Sequence, residues 1–201
     1  MEPVGTIVGR AAPLPLANVD TDQIIPKQFL KRVERTGFGE FLFHDWAADH
    51  EGESDPDFVL NKLPYRDAVV LVAGPNFGSG SSREHAPWSL LDWGFRAIIA
   101  PSFADIFYNN CTKVGLLPIV LSAEDVAALT EVAEDPTNEV SIDLENQSVE
   151  STGFSAIFEI EAFTKHSLLN GLDDITLTLT HAVLIDVYEK NRPAYKPTIK
   201  H

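Results

Sequence analysis

A chain of 201 residues, 44% hydrophobic and 22% charged, has the size and balance of one globular domain with a substantial core, which excludes a largely disordered or fibrous protein. Its 30 acidic and 15 basic side chains give a formal net charge of -15, a field that repels nucleic-acid backbones and anionic membrane surfaces. The one cysteine, Cys111, precludes an intrachain disulfide and suits the cytoplasm, and neither a bilayer-length apolar run nor a secretory-type start is present.

Residues 1–26 mix short apolar pieces with Pro13, Pro15 and Pro26, a spacing that argues against a long helix. Residues 27–58 are more polar and irregular. They hold a basic cluster (Lys31, Arg32, Arg35), then Gly37 and Gly39, then an acidic stretch over 49–57 that reads as a solvated loop. Residues 68–73 (AVVLVA) are continuously apolar and valine-rich, as a buried strand is, and end in a glycine turn over 74–80. An amphipathic stretch follows to Trp93-Gly94, and residues 97–100 (AIIA) form a second buried strand. Ser102 is suited to cap a helix over 103–111, which Gly115 stops. Strand, glycine turn, helix and strand make a βαβ pattern with neighbouring parallel strands.

Ser122 and Asp125 open a further helix that must end by Asp135-Pro136. Residues 140–144 and the run from Val149 alternate around Glu145-Asn146-Gln147, which predicts a β-hairpin. Residues 163–169 read as a short helix stopped by Gly171, and the tail after Arg192, with Pro193 and Pro197, as extended. The expected class is α/β.

The segment richest in chemistry is 74–86, GPNFGSGSSREHA, where a buried strand hands over to a helix. Its glycines let the backbone take positive φ and approach a ligand closely, and free N–H groups at a helix start favour an anion. Arg83 beside Ser81 and Ser82 has the chemistry of a carboxylate clamp, and a guanidinium also lowers the cost of a serine alkoxide. A plainer description fits too: a glycine turn ends the strand, and Ser81, at capping-box spacing from Glu84, holds the helix. Pro87 means either that the regular helix begins only near 84–86 or that its first turn is distorted. The segment is neither a Walker loop nor a nucleophile elbow.

A second segment, 18–26 (NVDTDQIIP), sets Asp20 and Asp22 two apart beside Asn18 and Thr21, which by itself suits an Asx-rich turn. His44 and His50 lie among Asp45, Asp49 and Glu51 but lack the spacing of a metal site. Trp46, Trp88 and Trp93 read as core or interface anchors.

Together, NVDTDQIIP, GSGSSREHA, the run 94–119 (GFRAIIAPSFADIFYNNCTKVGLLPI) and GLDDITLTL at 171–179 resemble, in the same order, the small-subunit family of 3-isopropylmalate dehydratase. That family is similar to the C-terminal swivelling domain of aconitase. The resemblance implies a single swivelling β/β/α domain over 1–201, with a mixed sheet flanked by helices. It implies a hydro-lyase that isomerises 2-isopropylmalate and 3-isopropylmalate in leucine biosynthesis. Ser81 matches the base that removes the substrate proton; Ser82, Gly80 and Arg83 match positions that hold substrate carboxylate and support the alkoxide. Asp22 borders the same cleft in a positioning role. Residues 27–43 match the loop that separates substrates in the family: Phe29-Leu30 would meet an isopropyl group and Lys31 or Arg32 a carboxylate. The resemblance also implies a [4Fe–4S] cluster, and such a cluster needs three or four thiolates. With Cys111 as its one thiol, this chain binds none, so the cluster is expected on a separate large subunit. The competing expectations are a homoaconitate, methylmalate-type or methylthioalkylmalate hydro-lyase subunit, or a module that binds a carboxylate without turning it over.

Overall fold

The computed structural model describes residues 1–31, 36–48 and 51–193. Strand β1 (Thr6–Leu14) is central; β2 (Val70–Ala73) pairs parallel to it, β3 (Ala97–Ala100) parallel to β2, and β4 (Leu117–Val120) parallel to β3. On the other side β5 (Glu139–Asp143), β6 (Ser148–Ser151) and β7 (Phe154–Ile157) join antiparallel in turn, giving the order β4-β3-β2-β1-β5-β6-β7. The result is one mixed sheet flanked by helices, the α/β arrangement the sequence implied.

Every residue of β2 and of β3 is buried, because helices cover both faces of the parallel half. Side chains alternate across a strand. Leu71, Ala73, Ile98 and Ala100 therefore join one core with α3 (His85–Trp93) and α4 (Asp105–Val114), while Val70, Val72, Ala97 and Ile99 join a second core with α5 (Ala123–Glu134). The first core also takes in α1 (Thr21–Ile24) and the neighbourhood of α2 (His44–Ala47), with Trp46, Trp88 and Trp93 packed against it. Ser122 caps α5 by accepting from the Asp125 amide at 3.0 Å, and Gly115 ends α4 in the left-handed conformation, both as expected.

Several boundaries differ from the sequence reading. The strand expected over 68–73 begins at Val70. Ser102 does not cap α4: Ala104 holds the N-cap position, and the Ser102 hydroxyl instead accepts from the Asn76 amide at 2.9 Å. The helix after the glycine loop starts at His85 with no side-chain cap, so the capping pair of Ser81 and Glu84 does not form, and Pro87 falls in the first turn. Helix α6 (Ala162–Leu169) starts one residue early because Glu161 caps it through the Phe163 and Thr164 amides. The chain then continues as α7 (Asp174–Leu179) and α8 (Ala182–Lys190). The tail expected to be extended falls at 194–201, outside the described residues. None of the described helices is long and apolar enough to cross a membrane.

Candidate active site

Because β1, β2 and β3 are parallel neighbours, the loops that follow them leave the same edge of the sheet, the carboxyl edge where α/β proteins bind ligands. These loops are zipped together by backbone hydrogen bonds. The Asn18 amide donates to Pro75 O at 2.8 Å, Gly78 N to Val19 O at 2.8 Å and Thr21 N to Ser79 O at 2.8 Å. On the other side Phe77 N donates to Ser102 O at 3.1 Å and Ala104 N to Phe77 O at 3.0 Å. The two motifs and the start of α4, far apart in sequence, thus become one surface.

A cavity of about 240 Å³ opens there, lined by Thr21, Gly78 and Gly80, by Ser81, Ser82 and Arg83, and by the first residues of α4. Two glycines shape it. Gly78 has φ +77°, and a Cβ there would overlap the Phe107 ring. Gly80, with φ +91°, turns the chain so that both serines are exposed. Neither serine hydroxyl has a hydrogen-bond partner among the described residues. The loop beneath is pinned by Thr21, which is buried and donates from Oγ1 to the Ser81 carbonyl at 2.9 Å.

Arg83, its side chain 13% exposed, is held by Asp22 on α1. Nη1 donates to Oδ1 at 2.6 Å, Nη2 to Oδ2 at 2.9 Å, and Nη1 also to the Ile25 carbonyl at 3.4 Å. The opposite edge of the guanidinium, with Nε–H and the second Nη2–H, has no protein partner among the described residues. One edge of the fork is used for placement and the other keeps two donors open. Asp20 acts differently, capping α1 in a capping box with Gln23, at 2.8 Å in both directions.

The fourth wall was not anticipated. Since Ala104 provides no side-chain cap, the amides of Asp105, Ile106 and Phe107 lack intrachain partners among the described residues, and all three residues line the cavity. A helix starting at Phe103 under Ser102, as the local sequence suggests, would hide these open amides. Thr21 was missed as well, although it lies inside the DTD motif; only the three-dimensional pairing of the loops shows what its hydroxyl holds.

The remaining candidates lie apart. Lys31 is exposed at the end of a 3-10 turn, Lys27–Lys31, and does not line the cavity; Arg32 lies outside the described residues. Phe29 stacks on Phe41 at 4.1 Å and meets His44 edge-on at 4.9 Å, and with Leu30 it packs against the core. His85 packs between Phe38 and Trp88. Among the described residues no group of three or more His, Cys, Asp or Glu is arranged to hold a metal. Cys111 is fully buried on α4, and burial pushes its thiol well above the ordinary 9.0. A buried, protonated single thiol does not fit an iron–sulfur cluster, which is held by several thiolates.

The mixed seven-stranded sheet flanked by helices is an α/β domain, and residues 1–124 match the family model described as the aconitase C-terminal domain, which makes this an aconitase-type domain. The chain is 55% identical over 99% of its length, and over the full length of the relative, to the 3-isopropylmalate dehydratase small subunit of Dinoroseobacter shibae. It is 54% identical, with 99% of the chain and the full relative covered, to that of Rubrobacter xylanophilus. A crystal structure of 3-isopropylmalate dehydratase from Methanocaldococcus jannaschii superposes with a TM-score of 0.62 at 28% identity, over 92% of this chain and 99% of that one. The chain belongs to the family of 3-isopropylmalate dehydratase small subunits, components of an aconitase-type hydro-lyase.

Proposed function

We propose that this chain is the small subunit of a heteromeric enzyme that interconverts 2-isopropylmalate and 3-isopropylmalate by dehydration and rehydration, a cytoplasmic step of leucine biosynthesis. The observation that carries the reading is the cavity itself. Two unengaged serine hydroxyls stand beside a guanidinium with a free two-point edge and three open amides.

In this reading residues 1–201 act as one swivel domain. Ser81 Oγ removes the substrate proton. A Cα–H next to a carboxylate is a weak acid, so the negative charge must spread onto that carboxylate as it forms. Arg83 and the Ser82 hydroxyl, with the Gly80 turn and the α4 amides, meet that charge as it develops. Asp22 keeps the guanidinium in register. Residues 27–43 discriminate among substrates; Phe29 and Leu30 are partly buried against the core, and Lys27, Gln28, Lys31, Thr36 and Glu40 are the exposed side chains of the described part.

The chemistry for the departing hydroxyl lies elsewhere. A lone buried thiol cannot supply a cluster, and we assign a [4Fe–4S] cluster to a large subunit that closes over the cavity. The decisive experiment reconstitutes this chain with the large subunit of its own organism and measures conversion of isopropylmalate. Ser81→Ala is expected to lower turnover at least about 1000-fold while assembly persists. Full turnover in that variant removes Ser81 as the base. Faster conversion of homoaconitate, methylmalate or a methylthioalkylmalate would change the substrate and keep the chemistry.

A further inference from the structure

Residues 174–193 carry two helices in which no side chain is buried. They nevertheless present Ile175, Leu179, Val183, Leu184, Val187 and Tyr188, each more than half exposed. On α8 the pairs Val183/Val187 and Leu184/Tyr188 are four residues apart and form one apolar stripe, with Asp186 and Glu189 on the opposite side. A nine-residue helix is only marginally stable alone in water. A stripe of this kind needs something to pack against, and the described residues of this chain supply nothing.

The root of this arm is fixed. Asp173 caps α7 by accepting from the Thr176 amide at 2.7 Å and lies 3.6 Å from the Met1 ammonium, and Lys113 on α4 reaches Asp174 at 3.8 Å. Helix α4 therefore has the cavity at its first turn and the arm at its last, about 15 Å away for ten residues. Its exposed side chains Asp105, Ile106, Asn109 and Lys113 form one outward row joining the two.

We propose that α7 and α8 are a docking arm whose apolar stripe is received in a groove of the large subunit, on the face that also closes the Ser81 cavity. The inference rests on the reading above that such a subunit completes the site. A body covering the cavity and extending along α4 meets the arm without further reach. Helix-in-groove recognition uses this kind of four-residue anchor spacing. A second copy of this chain is a poorer occupant, because two chains of net charge -15 repel and a pair joined through the arm leaves both cavities open.

The test is amide hydrogen exchange of the full chain, alone and with the purified large subunit. Amides of 175–190 should exchange fast in the dilute isolated chain and at least about tenfold more slowly in the complex. Val183→Asp combined with Val187→Asp should raise the dissociation constant about 100-fold, leave the melting curve of the isolated chain unchanged, and restore wild-type turnover at saturating large subunit. Slow exchange in the isolated chain would mean that the arm packs on its own domain, and slowing with its concentration that a second copy covers it. Either result overturns the proposal, as does fast exchange in an active wild-type complex or an unchanged dissociation constant. An active complex with a fast-exchanging arm removes the arm alone, full turnover of Ser81→Ala removes the proposed base alone, and failure of the wild-type chain to bind any large subunit removes both.

Discussion

Arg83 and Asp22 meet edge to edge, with Nη1 2.6 Å from Oδ1 and Nη2 2.9 Å from Oδ2. They are 61 positions apart, one on the loop after β2 and the other on the short helix after β1. The pair orients the guanidinium before any ligand arrives and leaves its Nε edge open. Asp22→Asn is therefore expected to lower kcat about tenfold with little change in KM, as the clamp loses its register. Arg83→Lys should cost about 100-fold or more in kcat/KM, because an ammonium cannot bond at two points in a plane. The double variant should fall short of the product of the two losses. A fall in KM for Asp22→Asn would instead mark Asp22 as a competitor for the substrate carboxylate.

Thr21 holds the serine loop from beneath. Thr21→Val preserves shape and removes the donor to the Ser81 carbonyl, which should cost about 1–3 kcal/mol of stability. Steady-state kinetics of the reconstituted pair should show kcat falling more than KM rises, because what shifts is the Ser81 hydroxyl. Unchanged kcat would show that the loop needs no such support.

Gly78 combines a positive φ with a Cβ position already occupied by the Phe107 ring. Gly78→Ala should destabilise the chain by about 2–4 kcal/mol, the sum of backbone strain and overpacking. Urea denaturation measures this directly. An alanine accepted at under about 0.5 kcal/mol would mean that the Phe107 ring moves freely.

Burial raises the Cys111 thiol above its ordinary 9.0, so in the folded chain it keeps its proton at pH values where the unfolded chain loses it. Its contribution to stability is complete below 9.0 and declines as pH climbs from there toward the folded value. Melting temperatures taken from about pH 7 to about pH 10.5 should fall more steeply for the wild-type chain than for Cys111→Ala. A thiol reagent should label Cys111 only on unfolding. Rapid labelling at neutral pH in the native chain would contradict the burial.

Much of the parallel half was legible in the chain because its signals are local. The all-apolar runs at 70–73 and 97–100 mark strands covered on both faces, Ser122 marks a helix start, and Gly115 a helix stop. The motifs also singled out Ser81, Arg83 and Asp22, which the fold brings to one edge of the sheet. Which partner each polar group takes was not legible, since it depends on pairing between distant loops. Ser102 was expected to cap a helix and instead holds the Asn76 amide, 26 positions away. There a non-local contact outweighed a local preference. The helices over 174–190 were not read from the chain at all, and their exposed stripe is visible only once the rest of the described chain is seen not to cover it.

The amino-acid order by itself determined the apolar strands, the glycine turn and the nature of the reactive groups, because each depends on neighbours within a few positions. Only the tertiary structure decided that the loops after β1, β2 and β3 share one edge, that Asp22 meets Arg83, and that the first residues of α4 line the same cavity as Ser81. Those relations follow from parallel strand pairing, which brings the same ends of distant segments together.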